Sequence, residues 1–88
     1  MLYKMYIRYE ADNYNKDDVY EFDTNESLWN CRAGNSDYEK LFNFAQYTAE
    51  YHAKLFDMKN LKAATCYLEK RDTVGKRWNY DTFRTLKV

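Results

Sequence analysis

The 88-residue chain has 45% hydrophobic residues, 14 Lys/Arg against 14 Asp/Glu, and no proline. That is length for one domain, 1–88, with enough apolar mass for its own core, which excludes a multidomain enzyme and a disordered tail. Zero net charge argues against a dedicated polyanion binder, and the chain contains no run of about 18 apolar residues from which to build a transmembrane helix.

Leu2 to Glu10 alternates, with Tyr3, Met5, Ile7 and Tyr9 on one face and Lys4, Arg8 and Glu10 on the other, Tyr6 among them. Period two with this aromatic content predicts a half-buried strand. Ala11 to Asp18, rich in Asn and Asp, reads as a turn. Val19 to Asp23 returns as a second strand, with Tyr20 and Phe22 inward, so the two form an N-terminal hairpin.

Asp23-Thr24-Asn25-Glu26 has capping-box spacing, and a short helix through Leu28, Trp29 and Ala33 is expected to stop at Gly34. Ser36-Asp37-Tyr38-Glu39 is a better capping box and opens a long helix, from about Asp37 to about Lys59. At 100° per residue, Tyr38, Leu41, Phe42, Phe44, Ala45, Thr48, Ala49, His52, Leu55 and Phe56 fill an arc of about 160°. Glu39, Asn43, Gln46, Glu50, Lys54 and Asp57 fill the opposite arc, so the helix should pack on a sheet by one face. Tyr47 and Tyr51 fall just outside the apolar arc beside Lys40, and form the expected exposed ring pair.

From Leu61 the period returns to two: Ala64, Cys66 and Leu68 alternate with Thr65, Tyr67, Glu69 and Arg71, a third strand. Asp72 to Lys76 is a turn in which Gly75 offers φ > 0. A fourth strand starts at Arg77, with Trp78 and Tyr80 expected inward. Phe83 falls on the other face from Leu86 and Val88, which calls for a bulge or bend past Asp81. The expected fold is α+β and two-layered, in the order ββ-(short α)-α-ββ. Two hairpins make a four-stranded antiparallel sheet with one long amphipathic helix across one face.

No enzyme signature is present: there is no Gly-rich phosphate loop, and the single histidine, His52, sits mid-arc, where a satisfied, partly buried side chain is expected. The carboxylates Asp12, Asp17, Asp18, Glu21, Asp23 and Glu26 read as a solvated acidic edge. Two distant cysteines and one histidine lack zinc spacing, and the stretch 12–18 lacks the glycine and glutamate of a calcium loop, so neither metal nor cofactor is expected. Cys31 and Cys66 read as reduced thiols. Met1 to Tyr6 alternates where a signal peptide would be apolar, so a cytoplasmic location without membrane association is the expectation.

Charge is unevenly spread. Residues 1–60 hold seven Lys/Arg against eleven Asp/Glu, net −4, and residues 61–88 hold seven against three, net +4. Ten Tyr, five Phe and two Trp exceed what one small core holds. Tyr and Arg are the residue types that dominate interaction hot spots, so the leading expectation is a non-catalytic protein-binding module. Its partner-binding residues are expected among Tyr47, Tyr51, Tyr67, Lys70, Arg71, Lys76 and Arg77. Size and a wealth of Asn, Lys, Tyr, Asp and Phe, residues with AT-rich codons, suggest a phage-type accessory protein that occludes a host protein or a nucleoprotein complex. Two other readings stand beside it: direct nucleic-acid binding through the basic C-terminal hairpin, and a homodimer that buries the spare rings between two copies.

Overall fold

The structure, a computed structural model, describes residues 1–24, 37–72 and 74–88. Four strands, β1 (Leu2–Glu10), β2 (Asp18–Asp23), β3 (Ala63–Arg71) and β4 (Trp78–Leu86), form one antiparallel sheet in the order β2-β1-β3-β4. Among the described residues one helix, α1 (Asp37–Leu55), lies across one face. The expected short helix after Asp23, with its stop at Gly34, falls outside the described residues, as do the cap position Ser36 and Cys31.

The two hairpins meet through their first strands, so β1 and β3 are central and the edges are β2 and β4. Alternation sorts the side chains as the sequence implied. Tyr3, Met5, Ile7 and Tyr9 from β1, Ala64, Cys66 and Leu68 from β3, and Leu86 from β4 are buried. They pack against Leu41, Phe42, Ala45 and Ala49 of α1. Ala45, Ala49 and Ala64 are small, which allows the helix backbone to settle close to the sheet. Tyr20 and Phe22 face inward and meet the Phe44 ring edge-on at 5.0 and 5.1 Å.

The helix stops at Leu55, short of the expected Lys59. Asp57 adopts φ 46°, its N–H donates to Lys54 O (3.2 Å) and the Met58 N–H donates to Ala53 O (3.1 Å). This paired 5→2 and 6→1 closure satisfies the last carbonyls with a left-handed residue. Asp fills the place more commonly taken by Gly. The segment that follows is tied to the β1–β2 turn. Asn13 donates to Asp57 O and accepts from Lys59 N–H, Asn60 donates to Asp12 Oδ2, and Asp12 N–H donates to Lys59 O.

Two expectations for the last hairpin are corrected. The left-handed turn residue is Lys76 (φ 53°) and not Gly75; Gly75 serves instead by leaving room for Asp72, whose Oδ2 would lie 3.1 Å from an added Cβ. Trp78 and Tyr80 do not face inward. The β3–β4 register shifts between Leu68 and Glu69, so Leu68 pairs with Thr82 and Glu69 with Tyr80, leaving Asp81 as the extra residue of a bulge. The bulge falls at the expected place. It reverses the phase of the first half of β4, putting Trp78 and Tyr80 on the side of Phe83, away from the helix.

Candidate interaction surface

The face of the sheet opposite α1 is built from the polar phase of each strand, and it is rich in rings. Following the registers across β2, β1, β3 and β4, one row reads Glu21, Lys4, Glu69, Tyr80. The next reads Val19, Tyr6, Tyr67, Phe83. This second row is apolar or aromatic on all four strands. Val19, Tyr80 and Phe83 are exposed, while Tyr6, Tyr67 and Trp78 are half-buried among their neighbours. The Tyr67 and Phe83 rings lie 6.1 Å apart.

Cations lie among the rings. Lys4 Nζ is 4.5 Å from the Trp78 ring centre and 3.7 Å from Glu21. Arg71 is 5.7 Å from Trp78, and Arg8 is 5.5 Å from Tyr67 while holding Asp17 through two hydrogen bonds of 3.1 Å. Tyr6 donates to Glu69, and this bond raises the phenol above its ordinary pKa. The charges of the face are therefore organised against each other and against the rings.

The candidate residues named from sequence separate into distinct places. Tyr67 and Arg71 lie on this open face, and Lys76 and Arg77 are exposed at the turn that ends it. Tyr47 and Tyr51 are exposed as expected, 74% and 62%, but on α1, on the far side of the molecule. Lys70 leaves the basic group. It points to the helix side, 5.7 Å from the Tyr3 ring and 5.2 Å from the Tyr38 ring, with Asp81 at 3.8 Å. Its pKa is raised first by its hydrogen bond with Tyr38. Arg84 also turns inward, 4.2 Å over the Phe42 ring. Lys4, Tyr6, Arg8, Trp78, Tyr80 and Phe83 were missed. Tyr6 and Tyr67 carried the signal, each an aromatic in the polar phase of its strand; the bulge hid Trp78 and Tyr80.

A second cluster lies at the C-terminal end of α1. Asp18 is 9% exposed in its side chain and accepts from Tyr9 (2.7 Å, Oδ2), Tyr14 (2.7 Å, Oδ1) and Nδ1 of His52 (2.7 Å, Oδ2). Asp18 is thus no part of a solvated acidic edge. Burial, with the bond to Asp18 second, raises the Tyr9 phenol well above its ordinary range and Tyr14 to about 12. Phe56 covers the cluster, its ring centre 5.4 Å from that of Tyr14 and 5.2 Å from that of His52. Both hydroxyls are spent on the carboxylate, so the group ties helix to sheet and presents no activated nucleophile. Cys66, buried in the core, has its thiol pushed up to about 12 by burial, which suppresses thiolate chemistry.

Among the described residues, no three His, Cys, Asp or Glu side chains group as a metal site, and no helix is long and apolar enough to cross a membrane. Comparison with protein-family models, with curated proteins and with solved structures gives no match.

Proposed function

We propose that this chain is a non-catalytic interaction module whose working surface is the open face of its sheet. The observation that supports this reading most is the unbroken row Val19, Tyr6, Tyr67, Phe83 across all four strands, extended by Trp78 and Tyr80. A soluble sheet ordinarily keeps a bare face polar; rings there cost solvation unless a second surface covers them. Tyr, Trp and Arg interleaved on one face are the composition of a protein-binding hot spot. Tyr67 and Arg71 stand on this face and Lys76 and Arg77 border it, while Tyr47 and Tyr51 would belong to a separate contact.

The test is replacement of Tyr67 and Phe83 together by Ser. Both rings project away from the core, so the fold should persist by circular dichroism while cross-linked capture of any partner drops at least about tenfold. Capture that is unchanged, with the fold intact, would remove this face as the working surface.

A second reading is favoured by the cations stacked on Tyr67 and Trp78: single-stranded nucleic acid laid across the same face, with Arg71, Lys76 and Arg77 on its phosphates. Titration with a single-stranded oligonucleotide at several salt concentrations separates the two. Phosphate contact requires affinity that falls steeply with salt, and no binding at low salt ends this reading.

A further inference from the structure

The partner for this surface can be named from its charge pattern, and this step rests on the proposal that the open face binds protein. We infer that the open face pairs with the same face of a second copy, about a twofold axis that runs along the strands between β1 and β3.

A twofold interface must be self-complementary. The stated axis sets β1 over the partner's β3 and β2 over the partner's β4, row upon row. In the first row, Lys4 then meets the partner's Glu69, and Glu69 meets the partner's Lys4. In the second, Tyr6 meets the partner's Tyr67, and Val19 meets the partner's Phe83. Glu21 falls on the partner's Tyr80, and Arg8 falls on the partner's Thr65. These placements follow from the strand registers. No like charges oppose each other. The other in-plane axis, perpendicular to the strands through the Tyr6–Tyr67 row, would place Lys4 on the partner's Arg8, so electrostatics selects between the two.

Size and shape agree. The molecule has extents of 41 × 30 × 17 Å, and its described residues form one sheet layer and one helix layer. Its radius of gyration, 13.9 Å, exceeds the roughly 12 Å of a compact domain of this length. Three strands of nine residues and one of six, at about 4.8 Å spacing and about 3.3 Å per residue, project roughly 520 Å². Accessible area exceeds its projection, so the face lies at the lower end of the range for a specific interface, whose standard size is roughly 800 Å² per partner. Two such molecules, face to face at about 10 Å, complete a β-sandwich with a helix on each outer side.

Charge reversal tests the pairing. Sedimentation of the wild-type chain from about 1 µM to about 1 mM should show a dimer. Lys4→Glu alone and Glu69→Lys alone each create two opposed like-charge pairs and should weaken the dimer at least about tenfold. An equimolar mixture of the two variants restores opposite charges at both contacts and should recover a heterodimer. The recovery also shows that both variants are folded.

A wild-type chain that stays monomeric throughout overturns the inference. So does a wild-type dimer that neither reversal weakens, or one that the mixture fails to recover. The broader reading has its own readout. If the wild type is monomeric but Tyr67→Ser/Phe83→Ser still abolishes capture of a different protein, only the second copy is wrong as occupant. If that variant changes neither mass nor capture, the face itself is wrong.

Discussion

Nδ1 of His52, late in α1, lies 2.7 Å from Oδ2 of Asp18, the first residue of β2, although 34 positions separate them. The same carboxylate takes the hydroxyls of Tyr9 and Tyr14, so one acid fastens helix, central strand, turn and edge strand. A buried acceptor with three donors makes every member sensitive to loss of any other. Asp18→Ala strands three donors and should lower stability by about 3 kcal/mol, and His52→Ala by about 1–2 kcal/mol. Urea denaturation of both variants and of the double variant checks this. The double variant should lose less than the sum of the two, and full additivity would show that the contact carries no coupling.

Alkaline pH should loosen the same corner. Tyr14 is raised to about 12 and Tyr9 is raised further, both chiefly by burial, against about 10 in an unfolded chain. The folded state therefore keeps protons that the unfolded state releases. Stability is fully present below about pH 10 and falls as pH rises toward 12 and beyond. Absorbance titration near 295 nm should show part of the tyrosines ionising late, together with the loss of near-ultraviolet circular dichroism. Ionisation of all ten near pH 10 with the fold intact would contradict the geometry.

The Asp81 bulge sets which way the start of β4 faces. Asp81 is also the acceptor of Tyr38 (2.6 Å) and stands 3.8 Å from Lys70, which fastens the N-terminal end of α1. Asp81→Ala should cost about 1–2 kcal/mol through the unpaired Tyr38 hydroxyl. Deleting residue 81 removes the extra residue and makes Tyr80 the neighbour of Thr82, so the pairs Leu68–Thr82 and Glu69–Tyr80 become continuous and Trp78 and Tyr80 still face away from the helix; the deletion should cost about as much as the substitution. Thermal melts of the two variants should lie close together; a deletion far less stable than the substitution would mean that residue 81 is not the extra residue of the bulge.

Asp57 closes α1 at φ 46°, a conformation that glycine adopts without a Cβ penalty. Asp57→Gly keeps both closing backbone bonds and its carbonyl bond to Asn13. It gives up an exposed ion pair with Lys59, which contributes little. Stability should rise by about 0.5 kcal/mol, after the greater freedom of glycine in the unfolded chain is set against the relieved strain. A chemical denaturation midpoint shifted downward would refute this.

Much of the architecture was legible from local periodicity. Strand β1 occupies Leu2–Glu10 as alternation implied, α1 opens at Asp37, and the buried residues of β1 and β3 are those of the apolar phase. These features depend on neighbours two to four positions apart, and period alone decides which face meets the core. The exposure of Tyr47 and Tyr51 follows from the same reasoning.

What the sequence could not decide was everything that needs a partner from afar. Strand order places β1 beside β3, and only that adjacency aligns Val19, Tyr6, Tyr67 and Phe83 in one row. Asp18 reads as a surface acid until β1, the β1–β2 turn and α1 bring Tyr9, Tyr14 and His52 to it. The basic hairpin reads as one patch, but unbroken alternation along β3 sends Lys70 to the helix and Arg71 to the open face. A bulge costs one unpaired residue and reverses the facing of every residue beyond it, so a local pattern cannot show on which side of the bulge the core lies. Local periodicity determined which segments are strands and helix. Long-range pairing, which alone sets register and neighbours, decided which side chains share a surface.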